Sequence, residues 1–452
     1  MLRLHAREAL LPDGWGEQVR IIVEDGVITA VAPQSPPQAG DERHAVLLPG
    51  LLNLHSHAFQ RGMAGLAETR GPSADSFWTW REAMYRFVDR IGPDELTAIA
   101  ALAYVEMLES GFTRVGEFHY LHHAADGRPF ADPAEMSRAI MAAAEQSGIA
   151  LTHLPVFYAH AGFGGLAPHA GQRRFVHGID DFARLLERLR TAAARQPDMI
   201  VGIAPHSLRA VTVGELAALQ ALAGDALIHI HVAEQLQEVE DCRAWSGARP
   251  VEWLFDNAAV DERWCLVHAT HMTQDEVDRL AASGAVAGLC PITEANLSDG
   301  IFPAASFLSA GGRFGIGSDS NVRIDATEEL RLLEYGQRLS LRQRNVLAPT
   351  AGQSTGEALY RGALAGGGQA LGDDGAGIRV GRSADLVSLD TGHPSLCARN
   401  GSQLVDGLVF AAGAAAINGV WRRGRKLVSD GRHVARDRVE RDYRAALDKV
   451  LA

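Results

Sequence analysis

Eight apolar runs recur between residues 47 and 320, and stretches with helical periodicity separate most of them. The runs cover 47–55, 113–120, 149–158, 199–207, 226–234, 265–270, 285–293 and 313–320. Several are continuously hydrophobic rather than alternating, the pattern of strands covered on both faces. Between them, Pro93-Asp94-Glu95-Leu96 opens an amphipathic stretch ending near Gly111, with early acids that suit the helix dipole. Thr212-Val213-Gly214-Glu215 and Thr273-Gln274-Asp275-Glu276 carry the residue order of a capping box. Repeated strand–helix units of this number predict an α/β fold, a (β/α)8 TIM-like barrel rather than an open sheet.

The two ends of the chain read differently. Val19-Arg20-Ile21-Ile22-Val23-Glu24 and Val27-Ile28 flank Asp25-Gly26, a good hairpin turn. Strand character returns late, in Asp385-Leu386-Val387-Ser388-Leu389 and Ile417-Asn418-Gly419-Val420-Trp421. A length of 452 residues exceeds one ordinary domain. The expected organisation is a small β-sandwich domain built from 1–46 and 375–452, beside a barrel of residues 47–374. The stretch 62–89, with Trp78 and Trp80, is too long for a simple barrel connection and reads as a lid.

Composition narrows the partners. A net charge of −12 argues against nucleic acid, which needs a basic face. It leaves room for an anionic small molecule, because a local arginine cluster overrides the global sign. No segment is apolar enough to cross a membrane, and the first residues lack the apolar core of a signal peptide, so a cytoplasmic location is expected. Cys242, Cys265, Cys290 and Cys397 show no paired spacing and read as reduced, small hydrophobic side chains.

The chemistry gathers where the apolar runs end. His55-Ser56-His57 closes the first run, and residues two apart on a strand face the same side. Alone, a His-x-His pair is as consistent with a wet surface as with a metal. His231, His268 and Asp319 close other runs, at the barrel end where such enzymes hold their catalytic groups. His55, His57, His231 and Asp319 together offer three imidazoles and a carboxylate, a set suited to zinc first and to iron or manganese next. A further coordination position stays open for water, whose pKa the metal lowers. Lysine occurs only at Lys426 and Lys449, so no lysine lies between His55 and Asp319.

This pattern resembles the amidohydrolase superfamily of metal-dependent hydrolases. The resemblance rests on His55 and His57 on strand one, His231 on strand five, His268 on strand six and Asp319 within Gly317-Ser318-Asp319-Ser320. Many members bridge two metals through a carbamylated lysine; with none available here, one divalent ion per subunit is expected, Zn2+ first. Glu234, three residues after His231, matches the deaminase arrangement of the superfamily, the bland alternative being a solvated helix-start acid. The resemblance implies that Asp319 takes a proton from the attacking water and that His268 orients the hydroxide and stabilises developing charge. Glu234 would protonate the imino nitrogen and then the leaving ammonia.

Substrate class must come from the remaining strand ends. Arg209, in Ala204-Pro205-His206-Ser207-Leu208-Arg209, is placed to bind a carboxylate bidentately, or is a surface helix-start arginine. Arg81 in the lid segment offers the same chemistry, Tyr120 a hydroxyl, and Gln60 both a donor and an acceptor. Stacking aromatics for a nucleobase are few at these ends. Together with Glu117-Phe118-His119-Tyr120 and His231-Val232-Ala233-Glu234-Gln235, these residues resemble the subgroup that deiminates N-formimino-L-glutamate in histidine degradation. That resemblance implies that Arg209 and Tyr120 hold the glutamate carboxylates, that His206, Gln60 and Arg81 complete the pocket, and that the enzyme is a homodimer. The alternatives are an aminohydrolase of a purine, pterin or adenosine-like ring, and a scaffold that has lost its metal. His119, His122, His123, His153, His160, His169, His177, His229 and His271 are left without a role, His229 being the most tempting false ligand.

Overall fold

The computed structural model describes residues 1–71, 77–196, 198–373 and 375–452. Eight parallel strands form the barrel: β1 (Leu51–Ser56), β2 (Phe112–His119), β3 (Ala150–Phe157), β4 (Met199–Val201, continued by Ala204–Pro205), β5 (Ile228–Val232), β6 (Trp264–His268), β7 (Val286–Leu289) and β8 (Arg313–Ile316). Neighbours in this order pair in parallel, and the bridge Ile203–Ile228 joins β4 to β5 to close the ring. The strands are buried on both faces, as their unbroken apolar runs require. The segments that follow them carry the capping predicted from sequence: Thr212 and Thr273 each accept from the N3 backbone N–H of their helix.

Two strand ends differ from the sequence reading. The first apolar run divides at Gly50, with Glu42–Pro49 pairing into the small sheet and Leu51–Ser56 entering the barrel. Gly50 sits where a Cβ would lie 2.3 Å from Thr113 Cγ2, so only glycine lets the chain pass from one sheet to the other. The seventh run stops at Leu289, because Pro291 starts the short helix Pro291–Asn296.

The second sheet is mixed and drawn from both chain ends. Its order is Arg432–His433, Arg425–Ser429, Ile417–Arg422, Leu386–Leu389, Glu42–Pro49, Leu2–Leu11, Gly14–Glu24, Val27–Ala32. The predicted hairpin is present: Glu24 pairs with Val27 around Asp25 (φ 49°) and Gly26 (φ 84°). Leu4, Val19, Ile21, Leu47, Leu386 and Trp421 form its own apolar core, separate from the barrel's. The predicted lid, 62–89, starts at the end of the 3-10 turn Ala58–Met63 and contains the helix α1 (Phe77–Val88); its residues 72–76 lie outside the described residues.

Candidate active site

The ends of β1, β5 and β8 bring four donors to one point. His55 Nε2 lies 3.2 Å from His57 Nε2 and 3.0 Å from His231 Nε2. Asp319 Oδ1 lies 3.4 Å from His55 Nε2 and 3.3 Å from His57 Nε2. Ligands about 2.0–2.1 Å from a tetrahedral zinc are about 3.3 Å apart, so these spacings are those of a coordination polyhedron's edges. The protons are arranged to match. His57 Nδ1 donates to Phe118 O (2.9 Å) and His231 Nδ1 to His206 O (3.0 Å), leaving both Nε2 lone pairs facing inward. Burial lowers the pKa of all three imidazoles, His57 to about 3, which keeps them neutral and able to ligate. Burial alone would raise Asp319, but the His55 hydrogen bond and the charges of His55, His57 and His268 hold it well below the carboxylate range. The four residues therefore fit a divalent cation.

Backbone geometry fixes this cluster at some cost. Asp319 (φ 43°) and His268 (φ 68°) both occupy the left-handed region, worth about 1 kcal/mol or more each for a residue with a Cβ. Gly317 packs flat on β1; a Cβ there would lie 2.7 Å from His55 O. Asn321 then ties β8 to β1, donating to Ser56 Oγ (3.1 Å), His57 O (3.1 Å) and Asp319 O (2.9 Å).

Beside the four donors, His268 is ringed by acids. Its Nδ1 donates to Glu294 Oε1 (3.2 Å), and its Nε2 faces Glu234 Oε1 (3.7 Å) and Asp319 Oδ2 (3.8 Å). Burial alone would lower its pKa, but Glu234, Glu294 and Asp319 together drive it well above the usual imidazole value. Burial pushes Glu234 up to about 7, against the opposing pull of His268 and Arg209. A carboxyl tuned there holds and releases a proton near neutral pH.

These groups open onto a cavity that also receives Gln60, Arg81, Tyr120, His206 and Arg209. Gln60 Nε2 donates to the Tyr120 hydroxyl (2.8 Å). Arg81 and Arg209 both lie over the Trp78 ring, at 4.4 and 5.6 Å, and the Nε of each is buried without a hydrogen-bond partner. Helix α1 supplies Phe77, Trp80, Arg81, Met84 and Tyr85 as one wall, so the predicted lid does line the site. Aromatics are few at the strand ends, where Tyr120 and Tyr158 stand, but the cavity as a whole is rich in them. Phe77, Trp80, Tyr85, Tyr120, Tyr158 and Phe175 all line the cavity, most of them from helix α1 and from loops that strand-end counting overlooks.

Comparison with known proteins settles the family. The amidohydrolase family profile matches residues 46–434. The chain belongs to the amidohydrolase family. Residues 1–45 match a second profile, the N-terminal domain of formimidoylglutamate deiminase HutF. A formimidoylglutamate deiminase of Pseudomonas aeruginosa is 51% identical, with 100% of both chains covered. A 5-methylthioadenosine/S-adenosylhomocysteine deaminase of Pelotomaculum thermopropionicum is 30% identical over 94% of this chain and 91% of its own. The crystal structure of an amidohydrolase from Brucella melitensis superposes with a TM-score of 0.97 at 55% identity, covering 100% of each chain.

Within this family fold, sequence reasoning missed Glu294 and Asn321, and named Trp78 only as part of the lid-like stretch. The run Gly317-Ser318-Asp319-Ser320-Asn321 held a signal for Asn321, a residue type at ease in the left-handed turn (φ 54°) that it occupies. His229, the tempting false ligand, lies deeper in the barrel, where its Nε2 contacts Ala370 O at 2.8 Å.

Proposed function

We propose that this chain hydrolyses N-formimino-L-glutamate to N-formyl-L-glutamate and ammonia, in the degradation of histidine. The observation that carries the acidic substrate is a pair of arginines, Arg209 buried and Arg81 half-buried, whose Nε atoms are buried and unpartnered beside the cavity that holds the metal donors. A buried guanidinium nitrogen without a partner is costly, and a substrate carboxylate offsets that cost with a charge-assisted hydrogen bond. The full-length similarity to a formimidoylglutamate deiminase supports the same reading.

Roles follow from position. His55, His57, His231 and Asp319 hold one divalent ion, zinc being the best match to three imidazoles and a carboxylate. When bound, that ion supplies Lewis acidity and lowers the pKa of the attacking water. Asp319 accepts the water's proton. His268, held by Glu294, faces the reacting carbon and stabilises the oxygen as it gains charge. Glu234 delivers a proton to the imino nitrogen and, reprotonated from the carbon-bound hydroxyl, a second to the leaving amine; the C–N bond breaks, ammonia leaves as the carbonyl forms, and the proton held by Asp319 restores Glu234. Arg209 and Tyr120 bind the carboxylates, and Gln60, Arg81 and His206 complete the pocket around the formimino group. The same resemblance carries a cytoplasmic homodimer, which gel filtration and cell fractionation test.

The aromatic lining gives the runner-up its support, since a purine-like ring would stack there. Ammonia release from N-formimino-L-glutamate, N-formimino-L-aspartate, adenosine and guanine decides between them. Turnover of a nucleobase with none of the formimino acid would sink the proposal.

A further inference from the structure

Among the described residues a second group of donors converges beside the first. One donor atom each from His268, Cys290 and Asp319 lies within 4.8 Å of the others, and all three residues are buried. Cys290 follows β7 directly and is fully buried.

Three further observations point to a cation there. First, the two oxygens of Asp319 face different partners: Oδ1 the paired histidines of β1, Oδ2 the Nε2 of His268 at 3.8 Å. A carboxylate so placed is a bridge in waiting. Second, the ring of His268 is oriented as those of His57 and His231 are. Its Nδ1 is committed outward, to Glu294 at 3.2 Å, and its Nε2 is presented inward. A carboxylate behind a ligating imidazole is the usual outer support of a metal-bound histidine. Third, the carboxyls of Glu234 and Glu294 flank this same imidazole, at 3.7 and 3.2 Å, acidic groups that favour a cation beside them.

We infer that a second, thiophilic divalent cation binds at His268, Cys290 and Asp319 with lower affinity than the first, and that it inhibits turnover by taking His268 away from the substrate. The thiolate sets the ligand class: zinc or cadmium, not magnesium or calcium. Binding deprotonates Cys290 and takes the proton from His268 Nε2, and both protons leave to solvent. The lower affinity follows from three protein donors, one of them shared, against four at the first site. The inhibitory part rests on the role proposed for His268; the binding part does not.

The test uses cadmium as a probe in a Cys397→Ala background, because Cys397 is exposed and would bind thiophilic ions on its own. Equilibrium dialysis is expected to show one tightly held ion and a second, weaker equivalent, the latter accompanied by an ultraviolet thiolate-to-cadmium band. Cys290→Ala and Cys290→Ser should each abolish the band and weaken the second equivalent by about tenfold or more, since even an outer-shell loss costs that much. Inhibition by excess zinc should weaken in step. A single equivalent with no thiolate band overturns the proposal, as does a band that persists in both Cys290 variants. If the second ion and the band appear but excess zinc leaves turnover unchanged, the inhibition is overturned, and with it the part played by His268.

Discussion

Two histidine clusters sit side by side in this barrel, and only one of them is built for a metal. In the first, the rings of His55, His57 and His231 have centroids 4.7, 4.8 and 5.4 Å apart. In the second, His119, His122, His123, His153 and His177 approach one another just as closely, 4.4 Å for His122–His177 and 4.8 Å for His123–His177. Ring proximity therefore does not make the site. The difference lies in which nitrogen is tied back and in whether a carboxylate closes the group. His57 and His231 anchor Nδ1 on carbonyls and turn Nε2 toward Asp319. His122 and His123 instead contact carbonyls through Nε2, at 2.9 and 2.8 Å, and His153 meets Ser137 Oγ at 3.0 Å. No acid lies among the ring partners of that second cluster in the described residues. Burial drives its imidazoles toward neutrality, His153 and His177 to about 3, so the cluster behaves as aromatic packing.

The sharpest way to break this contrast is to remove a donor from the first cluster. His57→Ala or Asp319→Asn should release the metal, read by elemental analysis, and lower kcat/KM by about 10^4-fold or more. Retained metal with retained activity would place the reaction elsewhere.

Next in size is Glu234→Gln. Metal content should stay at the wild-type level while turnover falls by about 10^3-fold, the usual worth of a positioned general acid. The same variant carries a stability signature. The Glu234 pKa is raised from 4.5 to about 7 in the folded chain, so the unfolded chain releases that proton first and stability falls as pH climbs between those values. The glutamine removes this penalty. Metal-free Glu234→Gln should melt roughly 2 °C above the metal-free wild type at pH 8, and no higher at pH 4, by calorimetry.

A third change tests the substrate side. Arg209→Ala should raise KM by about 10²-fold with a smaller effect on kcat, the worth of a buried charge-assisted hydrogen bond. Equal loss for neutral and acidic substrates would argue that Arg209 shapes the pocket through Trp78 rather than binding a carboxylate.

How much of this could be read from the chain depends on sequence distance. His55 and His57 were legible because a strand puts alternate residues on one side, and Thr212 and Thr273 because a cap is a local pattern. The break at Gly50 was hidden, since both halves of that run are equally apolar and the close approach comes from Thr113 on another strand. Glu294 was hidden for a similar reason. It stands on a short helix after β7, and only the closed barrel brings it to His268, 26 residues away. The aromatic wall escaped because helix α1 lies within a segment that reads as a loop. Asp319 was found by its neighbours' spacing, but its left-handed backbone has no sequence signature.

The smallest expected effect completes the contrast from the other side. His122 and His177 are 2% and 4% exposed, and neither ring nitrogen of His177 nor Nδ1 of His122 has a hydrogen-bond partner. If the second cluster is packing, replacing these rings with apolar side chains of similar volume removes unpaired polar atoms and keeps the contacts. His122→Phe loses the approach of Nε2 to Val156 O (2.9 Å), leaving a buried carbonyl unpaired, and should cost about 1–2 kcal/mol. His177→Leu loses no such bond and should lie within about 1 kcal/mol of wild type by denaturant unfolding. Neither variant should change the bound-metal stoichiometry or kcat/KM. Loss of metal in either one would mean that the two clusters act as a unit, and that ring spacing, rather than proton placement, selects the ion.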